Sequence, residues 1–154
     1  MEANVSTITR STFKLIAVAA TVAALTLGGG GIANAKTGNA PAIPLNNEQA
    51  LVADTGASGF LSYTISSAGF CYTLDVRHLS SQSTVAHIHS GSRNVVGPPV
   101  VDLVIGSGPN WITTACAMPR DKTVLAKIMA DPRGYYVNVH SENFRAGEIR
   151  GQLK

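Results

Sequence analysis

The chain has 154 residues, two cysteines, four histidines and a formal charge of +3. Charged residues make up 14% of it, against roughly 25% in ordinary soluble domains, and hydrophobic residues make up 45%. That balance excludes long disorder, which goes with more charge and fewer apolar side chains, and a charge this weak and scattered does not point to nucleic acid. The length fits one domain. Without 18 consecutive apolar residues in the sequence, no ordinary spanning helix is expected.

The N-terminus reads as an export signal. Arg10 and Lys14 precede an apolar stretch of 13 residues, Leu15 to Leu27, which four glycines (Gly28 to Gly31) then interrupt. Ala33-Asn34-Ala35 has the small-x-small form of a signal-peptidase site, so residues 1–35 are expected to leave before Lys36. The competing reading is an uncleaved anchor, for which the apolar stretch is short. A lipoprotein anchor and the twin-arginine route lack the cysteine and the arginine pair they need. The mature chain, 36–154, would be secreted, periplasmic or held at the cell wall, with no membrane span. Residues 36–47, rich in Gly, Asn, Ala and Pro, read as a flexible leader, and residues 48–154 as the domain.

The rest reads mostly as strands. In Phe60 to Ile65, Leu61, Tyr63 and Ile65 share a face. After a turn at Ser66 to Gly69, Tyr72, Leu74 and Val76 alternate with Thr73, Asp75 and Arg77, which makes a hairpin. Thr84 to His89, Val100 to Ile105 and Trp111 to Cys116 follow, separated by Ser90-Gly91, Pro98-Pro99 and Gly106 to Pro109. Asp121 to Ala130 is the one helical segment: Val124, Leu125 and Ile128 or Met129 fall at helical spacing, and Asp131-Pro132-Arg133-Gly134 stops it. Tyr135 to His140 and Glu148 to Leu153 are the last strands. Short strands at such intervals predict an all-β sandwich or small barrel with one short helix.

Cys71 and Cys116 are expected to pair, as two cysteines in an exported chain usually do. Closing that loop would stabilise the fold by about 4 kcal/mol on chain-entropy grounds. The alternative is a pair of free thiols on a metal, although the spacing is not C-x-x-C.

His87-Ile88-His89 is the most informative tripeptide. On a strand, residues i and i+2 point the same way, about 6.6 Å apart at the backbone, so two imidazoles can converge on one ion at about 2 Å each. Tyr136, Asn138 and His140 share one face of a later strand, opposite Tyr135, Val137 and Val139. If the two strands are neighbours, His87, His89 and His140 meet, provided that their nitrogens come within about 4 Å of one another. Such a set suits copper, zinc, iron or nickel. The alternative is that each histidine bonds across the sheet. His78 stands outside both patterns, as a surface or structural residue.

Asn138 either orients a ligand imidazole or holds a turn. Glu148, Arg150 and Gln152 share a strand face, where an ion pair or a loop cap ranks ahead of catalysis. Trp111 and Tyr135 read as core, and Gly147 and Gly151 as bends or close approaches. A hydrolase lacks its G-x-S-x-G elbow, and the glycine run that might suggest nucleotide binding lies in the leader.

Two long motifs resemble those of the CHRD domain, named after chordin. The first is Ala86-His87-Ile88-His89-Ser90-Gly91 followed by Gly97-Pro98-Pro99-Val100-Val101-Asp102-Leu103. The second is Tyr136-Val137-Asn138-Val139-His140-Ser141 followed by Gly147-Glu148-Ile149-Arg150-Gly151-Gln152-Leu153. The likeness spans residues 45–153, with Arg145 where the family usually has proline. It implies an extracytoplasmic, immunoglobulin-like β-sandwich. The H-x-H strand and the late histidine also resemble the copper layout of copper–zinc superoxide dismutases, so copper is favoured over zinc as the ion. With no bridging histidine and no zinc cluster, dismutase activity does not follow. In chordin the domain belongs to an extracellular regulator that binds signalling proteins. The alternative to a metal protein is therefore a non-catalytic module with structural histidines and an extracellular protein partner.

Overall fold

A computed structural model describes residues 42–154. The expected signal peptide (1–35) and half of the expected leader, residues 36–41, lie outside the described residues. The period-two alternation read from the sequence produces eight strands: β1 (Ile43–Asn46), β2 (Ser58–Ser66), β3 (Gly69–Arg77), β4 (Ser83–Ser90), β5 (Pro99–Leu103), β6 (Trp111–Ala117), β7 (Tyr135–Ser141) and β8 (Ile149–Gln152). All pairings are antiparallel, in the order β5-β4-β7-β8-β1-β2-β3-β6. The sheet curls until its edge strands β5 and β6 touch, giving a nearly closed barrel. The fold is all-β, as the patterning predicts.

One face of each strand fills the interior. Leu61, Leu74, Val76, Ile88, Val137, Val139 and Ile149 are fully buried there. Burying a side chain of this size contributes roughly 1.5–3 kcal/mol, so the barrel interior is the main source of stability.

Residues 43–47, expected to belong to a flexible leader, are part of the folded domain. Ile43 and Leu45 are buried, and β1 pairs with β2 from Ile43↔Leu61 to Asn46↔Ser58 and with β8 at Asn46↔Arg150. Four residues containing a proline show too little alternation to register as a strand; the neighbours on both sides make it one. Asn46 then caps a short helix, α1 (Asn47–Ala50), its side chain accepting from the Gln49 amide. The predicted helix is α2 (Thr123–Ala130). Asp121 precedes it and accepts from the Thr123 amide and hydroxyl. Val124 and Ile128 are its buried pair, while Met129 is exposed.

Cys71 and Cys116 form a disulfide between directly opposed residues of β3 and β6. β6 hydrogen-bonds to no other strand among the described residues, so the bridge ties down an edge strand. Replacing both cysteines with alanine is expected to lower unfolding stability by about 2–4 kcal/mol. Urea denaturation checks this, and an unchanged midpoint contradicts it.

Candidate metal centre

β4 and β7 are neighbours, so the first condition for a shared histidine site is met. The register sets His87 opposite Asn138, His89 opposite Tyr136 and His140 opposite Val85. Pairing with the flanking strands extends the first row to Asp102, His87, Asn138 and Arg150. Ala86, Ile88, Val137 and Val139 point into the barrel, so the histidines stand on its outer face.

An outer face would ordinarily be wet. Here His89, Asn138, His140 and Arg150 are all buried because two loops fold over them. The loop after β4 supplies the Gly97 carbonyl, which accepts from His89 Nδ1 at 2.8 Å. The loop after β7 supplies the Arg145 carbonyl, which accepts from His140 Nδ1 at 2.8 Å. A carbonyl can only accept, so both rings carry their proton on Nδ1 and present a lone pair at Nε2. His87 is turned the other way: the Asp102 carboxylate stands 3.6 Å from its Nε2, which favours the proton there and leaves Nδ1 free.

His87 Nδ1, His89 Nε2 and His140 Nε2 are each buried without a hydrogen-bond partner. The three side chains offer one donor atom apiece within 4.8 Å of one another. Their ring centroids lie 5.3–5.9 Å apart. The spread exceeds the roughly 4 Å of two ligands 2.0–2.1 Å from one ion, so holding one ion requires the rings to draw together. Burial lowers the pKa of His89 and His140, partly offset by their carbonyl hydrogen bonds and reinforced by the His87 charge. Both rings are thereby held neutral, the form that binds metal. His87 is the most accessible of the three, with its side chain 20% exposed.

The neighbours divide into supports. Asn138 donates to the Ala146 carbonyl at 3.0 Å, so it holds the turn after β7. Gly147, at φ +115°, lies so close that a Cβ would run into the Asn138 amide. Glu148 is a loop cap: its carboxylate accepts from Thr55 Oγ1, the Ser80 amide and Ser141 Oγ. Among the described residues neither Glu148 nor Arg150 takes part in the cross-strand ion pair considered for this face; the Arg150 guanidinium donates to the Ser92 and Val95 carbonyls and to Gln152. His78 is exposed, at φ +56°. Trp111 is buried in the core and Tyr135 is half-buried against it. Position 145 serves through its backbone carbonyl, so arginine in place of proline leaves that contact intact. The carbonyls of Gly97 and Arg145 carry no side-chain signature. Asp102 does, since it lies on the His87 face of an alternating strand.

The model of one family, the CHRD domain, matches residues 42–153. The chain belongs to the CHRD domain family. No curated protein and no solved structure matches it. The CHRD match begins at the residue before β1, in keeping with β1 being part of the domain. It includes His87, His89 and His140 together with both loops that cover them.

The lowered histidine pKa values set a pH dependence for the metal-free CHRD domain. Below the ordinary histidine value of 6.5, the unfolded chain takes up protons that buried His89 and His140 resist. Stability therefore falls as pH drops through that region. Thermal melts between pH 7.5 and 5 are expected to show falling midpoints, with a weaker slope in His140→Gln; equal slopes contradict the assignment. Gly147→Ala, which combines a positive φ with the Asn138 clash, is expected to destabilise by more than about 1 kcal/mol. A chemical denaturation curve overlaying that of the wild type would exclude such crowding.

Proposed function

We propose that this CHRD domain is an exported metal-binding protein that holds one transition-metal ion, preferentially copper, between His87, His89 and His140. The carrying observation is the set of three buried imidazole nitrogens without partners, offered from one face, with the His89 and His140 rings held in ligand-ready tautomers. Structural histidines in an interaction module give no reason for three such atoms. A buried polar atom without a partner costs on the order of 1–3 kcal/mol, and one ion removes that cost at all three sites.

The donor set is neutral and entirely imidazole, which suits late first-row metals, and copper heads their affinity order. Three ligands leave a position open for water or a small ligand. The proposed role is holding and handing on the ion; no reaction is assigned. Export is supported by the N-terminal signal pattern and by the disulfide, which persists in oxidising compartments.

Titration of the purified protein with Cu(II) and with Zn(II) is expected to give one equivalent bound below micromolar Kd. His87→Ala and His140→Ala should each weaken binding by at least tenfold. Millimolar binding, unaffected by either substitution, contradicts the proposal.

A further inference from the structure

Arg150 is a buried cation without an anion. It is 5% exposed, and none of the salt bridges among the described residues includes it. Burying a guanidinium is costly unless its donors are satisfied. Here they are satisfied by backbone: the Ser92 carbonyl accepts at 2.8 Å and the Val95 carbonyl at 3.1 Å. Both belong to the loop between β4 and β5. Arg150 also lies 3.4 Å above the centroid of the Tyr136 ring. The other face of Tyr136 stacks on His89, with centroids 4.9 Å apart and planes 12° from parallel. Guanidinium, phenol and imidazole thus form one three-layer stack across β8, β7 and β4.

The same groups meet again through the loop. The Tyr136 hydroxyl accepts from the Gly97 amide at 3.2 Å, and the Gly97 carbonyl is the acceptor for His89 Nδ1. Gly97 has no room for a side chain, because a Cβ would run into the Ser90 carbonyl. The loop is therefore fixed at Ser92 and Val95 by Arg150 and at Gly97 by Tyr136, and its product is one correctly placed carbonyl at His89.

We propose that Arg150 and Tyr136 are positioning residues that clamp the Ser90–Gly97 loop so that the Gly97 carbonyl holds the His89 imidazole protonated at Nδ1 and aims its Nε2 at the metal. The inference rests on the metal reading for its last step only; the clamp exists in the metal-free protein. Its essential feature is a planar fork that reaches two carbonyls while lying flat on a ring. Lysine keeps the charge but supplies neither the fork nor the flat stack.

The test uses Arg150→Met, Arg150→Lys and Tyr136→Phe in the otherwise intact protein. Nitrogen-15 NMR of the metal-free protein reads the His89 tautomer, amide hydrogen exchange reads residues 91–97, and Zn(II) titration reads affinity. In wild type, His89 should be a single Nδ1–H tautomer. All three variants should mix the tautomers and speed exchange in the loop. Both Arg150 variants should weaken zinc by about 10–100-fold, the usual cost of losing a group that orients a ligand. Tyr136→Phe removes one hydroxyl, so it tests the clamp even if the Arg150 variants do not fold. An unchanged His89 tautomer in the variants that fold, or full rescue by Arg150→Lys, overturns the proposal. If wild type binds no zinc, the metal reading fails, while tautomer and exchange still decide the clamp.

Discussion

Three imidazole rings sit on the outside of a barrel, and two of them, His89 and His140, are nevertheless buried. Everything distinctive about this domain depends on the two loops that make them so. An outward-facing histidine on a strand would normally satisfy both nitrogens with water. Here each loop replaces water on one nitrogen with a backbone carbonyl and excludes it from the other. The resulting lone pairs share one small volume, in which a single Lewis acid can satisfy them together. The lowered pKa values of His89 and His140 make the proton a poor candidate at neutral pH.

One of these loops, the one after β4, is held by the end of the chain. Glu148 ties β8 to Thr55, Ser80 and Ser141, and Arg150 ties it to Ser92 and Val95. Between them, Ile149 is fully buried. A four-residue strand therefore alternates between anchoring in the core and fastening loops on the outer face. Gly147 admits the Asn138 side chain at the start of that strand. Of the polar residues in the closing motif, Arg150 acts on the loop after β4, and that loop acts on His89.

Much of this was legible in the sequence because it follows from period two. His87 and His89 had to share a face, as did Asn138 and His140, and Ile88, Val137 and Val139 had to take the other. The β4–β7 pairing was a condition that alternation alone does not decide, since register comes from the whole barrel. β1 was missed because its four residues include Pro44 and owe their extended form to β2 and β8. The loop carbonyls that orient the rings were invisible for another reason: every residue has a carbonyl, so position alone makes one functional. The ion pair considered for Glu148 and Arg150 gave way to loop capping, since neighbouring backbone donors and acceptors reached each group first.

The central claim is that the three orphaned nitrogens are one coordination sphere. Its most direct test is anomalous diffraction from crystals of the protein soaked in Zn(II) or Cu(II), with data collected on both sides of the metal absorption edge. The account predicts a single peak about 2.0–2.1 Å from His87 Nδ1, His89 Nε2 and His140 Nε2. A fully loaded crystal with its peak elsewhere, or bound by only one of these rings, would contradict it.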